Sequence, residues 1–131
     1  MELWLRWALA VARFGSDLIV KALSDRSWRL TEELIYQSDI LGLIVVPDFF
    51  ITDFASVPRL PLAFLVAGDT AHAAAVVHDW LYTTQPCTRM QADRTFREAM
   101  GVTGIPAWRK NIMFAAVVSA GWLVWNKRRQ S

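Results

Sequence analysis

Residues 52–61, which read Thr-Asp-Phe-Ala-Ser-Val-Pro-Arg-Leu-Pro, separate a β-prone part of the chain from a part with helical patterns. Two prolines in ten residues fix backbone φ and remove two hydrogen-bond donors, so this segment predicts an irregular connection. Before it, β-prone residues cover 18–23, 28–37 and 43–51. After it, the patterns are helical. Strands followed by helices predict an α+β domain, with a small antiparallel sheet and then a helical half.

Three helices are predicted in the second half. They cover 71–82, 89–100 and the residues that follow Pro106. The middle helix has the strongest signal, because Thr88 and Gln91 have the spacing of a capping box. Gly101 is the predicted end of that helix, and Pro106 suits the first turn of the next.

The chain has 131 residues, the length of one domain. We therefore predict a single domain, with an amphipathic N-terminal helix, a small sheet, an irregular segment and a helical half at 1–15, 18–51, 52–68 and 69–127. The N-terminal stretch is apolar, but Glu2, Arg6 and Arg13 interrupt it. We predict no cleaved signal peptide there.

Apolar residues make up 54% of the chain, and seven are tryptophans. This exceeds the usual apolar share of a soluble domain, so part of it is expected either in a tight core or against a partner or lipid surface. The run 112–125 is shorter than the roughly 20 residues that span a bilayer. It predicts either a buried core helix or an interfacial helix anchored by Trp122, Trp125 and the basic end of the chain.

The candidate chemical site combines residues from two predicted helices. His78 and Tyr82 are one turn apart on one face, with Asp79 about 100° round from His78. Asp93 lies in the second turn of the next helix, and the short connection favours antiparallel packing. His78 and Asp93 are therefore expected to face each other.

A carboxylate that orients an imidazole is the arrangement of a water-activating general base. Asp79 would then remain as a hard oxygen ligand for a divalent cation. Calcium accepts carboxylates together with backbone carbonyls, which the irregular segment around Asp53 could supply. The alternative is structural, because a buried His–Asp bond often only satisfies polar groups between packed helices. In that case Asp93 pairs with Arg89 or Arg97 at helical spacing.

A set of motifs resembles an uncharacterised family of small proteins encoded by bacteriophages and prophages. The motifs are Val46-Pro47, Thr-Asp-Phe-Ala-Ser-Val-Pro-Arg at 52–59, His-Asp-Trp-Leu-Tyr at 78–82, and the helical set Arg89, Ala92, Asp93, Phe96 and Met100. The resemblance covers about residues 18–122 and implies a location in the virion or in the infected bacterial cell. One departure is Phe49, where the family usually has glycine.

A second, local resemblance is to the phospholipase A2 superfamily, in which His-Asp-x-x-Tyr precedes an Asp-x-x-Phe on the next helix. It implies that His78 is the base, that Asp79 binds calcium, and that Tyr82 and Asp93 support the histidine. The glycine-rich calcium loop of those enzymes has no counterpart before His78.

Three classes of function stay open. The first is a metal-assisted hydrolase, with a lipid ester as the favoured substrate, or an amide hydrolase with a transition metal held by Asp53, His78, Asp79 and Asp93. The second is a non-catalytic protein of the phage virion, tail or assembly machinery, in which an apolar surface contacts other phage proteins or a second copy. The third is an accessory protein directed at the inner membrane of the host. No nucleic-acid motif accompanies the basic residues, so we predict no nucleic-acid partner.

Overall fold

The computed structural model describes residues 11–23, 27–52 and 70–129. Six strands are present in this part of the chain: β1 Arg13–Phe14, β2 Val20–Ala22, β3 Trp28–Leu30, β4 Leu34–Ser38, β5 Gly42–Val46 and β6 Ile51–Thr52. Three helices follow: α1 Thr70–Thr84, α2 Arg89–Val102 and α3 Ala107–Arg129. The predicted α+β class is confirmed.

The strands form two antiparallel three-stranded sheets, ordered β1-β4-β5 and β2-β3-β6, and not the one sheet that was predicted. The predicted strand over 28–37 divides because residues 31–33 bend between β3 and β4. The Thr31 amide donates to the Ile19 carbonyl, at 3.0 Å. Thr31 therefore extends the pairing of β3 with the segment before β2, and β4 begins only at Leu34. Two adjacent glutamates, Glu32 and Glu33, then place their charges in solvent at this bend.

The first sheet supplies one side of the core. In β4 every second residue is buried, and in β5 Ile44 and Val46 are buried while Leu43 is exposed. This alternation follows from the two-residue period of a strand. The phenol of Tyr36 donates to Glu98 Oε1 in α2, at 2.6 Å, which ties the buried face of the sheet to the helices.

The predicted N-terminal helix over 1–15 is wrong at its C-terminal end, because Arg13–Phe14 is strand β1. These two residues pair with Tyr36 and Gln37 of β4. Pairing with a neighbouring strand satisfies their backbone groups and overrides the helical pattern. Residues 1–10 and 53–69 lie outside the described part of the chain, and with them most of the irregular segment predicted over 52–68.

Phe49 adopts a left-handed backbone, with φ 71°. It is the third residue of a turn in which the Phe50 amide donates to the Pro47 carbonyl, at 3.3 Å. Type II turns place glycine at this position, since a side chain strains a positive φ. The glycine that the resemblance leads us to expect here would thus suit a position where the backbone favours glycine.

Helix α2 begins as predicted and ends later than predicted. Thr88 and Gln91 form the complete capping box. Gly101 is still helical, and the left-handed residue is Gly104, with φ 84°. The amides of Gly104 and Ile105 donate to the carbonyls of Gly101 and Met100, which is the Schellman pattern. Gly104 is the terminating glycine because the buried Ile105 anchors the chain just after it.

Helix α3 begins one residue after Pro106, whose carbonyl accepts from the Lys110 amide at 3.0 Å. Only one of its faces is buried, through Met113, Val117 and Gly121. The prediction of a buried core helix therefore holds for that face alone. No helix in the described residues has the length and apolarity needed to cross a membrane.

Candidate functional site

His78 and Asp93 meet between α1 and α2. A short connection over 85–88 joins the two helices, and Gln85, with φ 49°, starts it by leaving the helical conformation. The chain reverses there, so the second turn of α2 lies beside the last turns of α1. His78 Nε2 and Asp93 Oδ1 are 2.8 Å apart, and both side chains are fully buried. The predicted juxtaposition is present.

Asp93 also binds two other side chains. The Tyr82 hydroxyl donates to Oδ1 at 2.7 Å, and Arg89 Nη1 donates to Oδ2 at 3.3 Å. The same guanidinium nitrogen reaches the carbonyls of Val117 and Val118 on α3, at 3.4 and 3.1 Å. One buried carboxylate thus connects all three helices. Arg97, the other partner considered from spacing, instead donates to Asn111 on α3.

The environment of His78 favours its uncharged form. Burial lowers the pKa of His78 below its ordinary value, although hydrogen bonding and charge from Asp93 oppose this effect. A carboxylate can only accept hydrogen bonds, so an uncharged His78 carries its proton on Nε2. Burial and the bond to Asp93 raise the pKa of Tyr82, which keeps its hydroxyl a donor.

Aromatic rings enclose the imidazole. The His78 ring centroid lies 4.2 Å from that of Tyr82 and 4.8 Å from that of Phe96. Tyr82 in turn packs edge-on against Trp125 of α3, at 5.1 Å. Ring packing and hydrogen bonds together fix the orientation of the imidazole and leave it with no solvent-exposed surface.

Asp79 points away from this pair and has partners of its own. Its Oδ2 accepts from the Thr52 hydroxyl in β6 at 2.6 Å, and its Oδ1 forms an ion pair with Arg128 near the end of α3. Arg128 also donates to the Asp79 carbonyl at 3.2 Å and to the Thr83 hydroxyl at 2.7 Å. Asp79 therefore joins β6, α1 and α3.

Sequence reasoning missed this role of Arg128. From the sequence, the basic end of the chain is expected at most to anchor an interfacial helix. Arg128 is 49 residues from Asp79, and no local spacing rule relates them. Only the packing of α3 along α1 brings the two side chains together.

The described residues do not fit the calcium site that the phospholipase resemblance implies. Both Asp79 oxygens are engaged, and one of them faces a guanidinium, whose positive charge repels a cation. Asp53, the other predicted ligand, lies outside the described residues. Across 11–23, 27–52 and 70–129, no three His, Cys, Asp or Glu side chains are placed to hold a metal ion.

The ion pair between Arg128 and Asp79 leads us to predict that calcium does not stabilise the protein. We expect the melting temperature of the wild-type protein to be the same in calcium chloride and in EDTA, because Arg128 already neutralises Asp79. We expect Arg128→Met to lower the free energy of unfolding by about 2–3 kcal/mol, because it leaves the buried Asp79 carboxylate without its cation. Arg129→Met is the control, since Arg129 is exposed one residue further on. A saturable rise in wild-type melting temperature with calcium would contradict this account of Asp79.

A protein-family model described as "Protein of unknown function (DUF1353)" matches residues 28–117. The chain belongs to this family. The DUF1353 match includes His78, Asp79, Tyr82 and Asp93, and it ends before Arg128. Comparisons with curated proteins and with solved structures gave no match.

Proposed function

We propose that this chain is a non-catalytic bacteriophage protein that works through its surfaces, and that His78, Tyr82 and Asp93 are a structural network. The observation that carries the proposal is the complete burial of both members of the His78–Asp93 pair. A general base must reach water or substrate. Buried polar groups that satisfy one another, in contrast, are the ordinary means of joining helices with a defined geometry.

The phage assignment is supported by the resemblance of the four motifs described above, all of which lie within the segment that matches the DUF1353 model. Within a phage, two roles suit a protein that acts through its surface. One is a component of the virion, the tail or their assembly machinery. The other is an accessory protein that acts at the inner membrane of the infected cell.

A paired assay tests the structural role of His78. We expect no turnover of phospholipid or short-chain esters by the wild-type protein, with or without calcium or zinc. We expect His78→Asn to lower the free energy of unfolding by about 2 kcal/mol, because Asp93 loses a buried partner. His72→Asn is the control, since the half-buried His72 lies on the same helix and should change stability by less.

The opposite result would establish the second candidate function, a hydrolase of lipid esters. One observation favours that candidate: His78 Nε2 and the Tyr82 hydroxyl bind the same oxygen of Asp93. This is the support that the phospholipase resemblance assigns to a general base. Turnover that disappears in a folded His78→Asn protein would overturn the non-catalytic proposal.

A further inference from the structure

The outer side of α3 is apolar and open to solvent. Trp108, Ile112, Trp122 and Leu123 are 57%, 43%, 50% and 58% exposed. A water-facing helix surface in a globular protein is normally polar. Exposed apolar residues are common singly, but several large ones on one side of a helix indicate a binding surface.

These residues share one side of the helix. Successive steps of four, three, four and three residues lead from Trp108 through Ile112, Ala115 and Ser119 to Trp122, with Leu123 beside it, and such steps keep to one face. Ala115 and Ser119 are exposed as well. We call this set of six residues the outer face of α3. At 1.5 Å per residue it is about 22 Å long.

The opposite side of α3 is the buried one, with Met113, Val117 and Gly121 against the other helices. The helix is thus apolar on two sides. Core packing explains the apolar residues of the buried side, but not those of the outer side.

The charges of α3 have one sign. The helix contains no acidic residue and five basic ones, whereas the formal net charge of the whole chain is only +2. Arg109 lies at its beginning, with its guanidinium over the Trp108 ring, and Lys127 and Arg129 are exposed at its end. Lys110 instead faces Gly101 of α2. Arg128 points inward to Asp79. Basic residues therefore lie at both ends of the outer face.

We propose that the outer face of α3 binds the surface of an anionic lipid bilayer, with the helix lying in the interface. Apolar residues with tryptophan on one face and basic residues at its borders are the pattern of an interfacial helix. The lack of acidic residues complements anionic headgroups. The inference gives the membrane role named above a lipid-binding surface, and it does not depend on the non-catalytic proposal, because it holds whether or not His78 is catalytic.

Vesicle flotation of the full chain tests this proposal. We expect the protein to float with vesicles of equal parts phosphatidylcholine and phosphatidylglycerol, and to bind phosphatidylcholine vesicles at least tenfold more weakly. We expect Trp122→Ser/Leu123→Ser to weaken binding to the anionic vesicles about tenfold or more, because two large apolar groups no longer leave water. Lys127→Gln/Arg129→Gln should weaken that binding and reduce its dependence on salt.

The matched control is Leu43→Ser/Phe49→Ser, which also replaces one leucine and one aromatic residue. Leu43 and Phe49 are 64% and 68% exposed, and they lie in β5 and in the turn before β6 rather than on α3. This variant should bind the anionic vesicles like the wild type. Absence of flotation with anionic vesicles, or equal weakening by both double variants, would overturn the proposal. Flotation unchanged in Trp122→Ser/Leu123→Ser, with loss of a self-associated species in sedimentation, would instead assign this face to a second copy of the chain.

Discussion

Replacement of Asp93 by alanine is expected to lower the free energy of unfolding by about 3–5 kcal/mol, the range for removing one partner from a buried charged network. His78 and Tyr82 would each lose a hydrogen bond at 2.8 and 2.7 Å, in a place without solvent. Arg89 would keep its charge but lose the carboxylate that neutralises it. Urea unfolding followed by circular dichroism gives the measurement.

Two other variants show whether the loss arises from the network. Tyr82→Phe removes one of its bonds and should cost about 1 kcal/mol in a wild-type background. In an Asp93→Ala background the same change should cost almost nothing, because the hydroxyl no longer has its acceptor. Additive losses, or a change below about 1 kcal/mol for Asp93→Ala, would show that the network does not hold the helices together.

The parts of this site that the sequence predicts are those governed by helical spacing. His78 and Tyr82 are four residues apart, and the Thr88–Gln91 capping box sets where α2 begins. The position of Asp93 opposite His78 then follows from the short connection. Each of these inferences needs only the geometry of a helix and the length of one loop.

The parts that could not be predicted depend on contacts between distant segments. The inward turn of Arg128 requires the packing of α3 against α1, which no local pattern specifies. The two-residue strand β1 exists only because β4 is beside it. The end of α2 at Gly104 and not at Gly101 depends on burial of Ile105, which is a tertiary effect acting on two otherwise similar glycines.

The two interpretations of His78 require different degrees of burial. The same sequence pattern predicts a general base and a buried structural pair, since both need a carboxylate beside an imidazole. The two differ in access, which depends on Phe96, on Trp125 and on the approach of α3. The sequence does not encode that access in any short motif.

The second large effect is expected at Gly121, where α3 packs against Tyr82 of α1. A Cβ atom there would meet the Tyr82 hydroxyl and lie 3.2 Å from Tyr82 Cζ. The ring cannot swing aside easily, because its hydroxyl is bonded to Asp93 and its edge packs on Trp125. We expect Gly121→Ala to lower the free energy of unfolding by about 3 kcal/mol, as for an overpacked core.

Gly101→Ala is the matched control, because it is also a helical glycine but faces only the flexible end of Lys110, at 3.3 Å. That change should raise the free energy of unfolding by about 0.5–1 kcal/mol, through the higher helix propensity of alanine. Because the two substitutions are expected to change the free energy of unfolding in opposite directions, the comparison distinguishes a steric conflict from an effect of helix propensity. Combining Gly121→Ala with Tyr82→Phe should recover part of the loss, because the hydroxyl that meets the new Cβ is gone. If Gly121→Ala stabilised the protein as Gly101→Ala does, the close approach of α3 to Tyr82 would be wrong, and with it the enclosure of His78 on which the non-catalytic proposal rests.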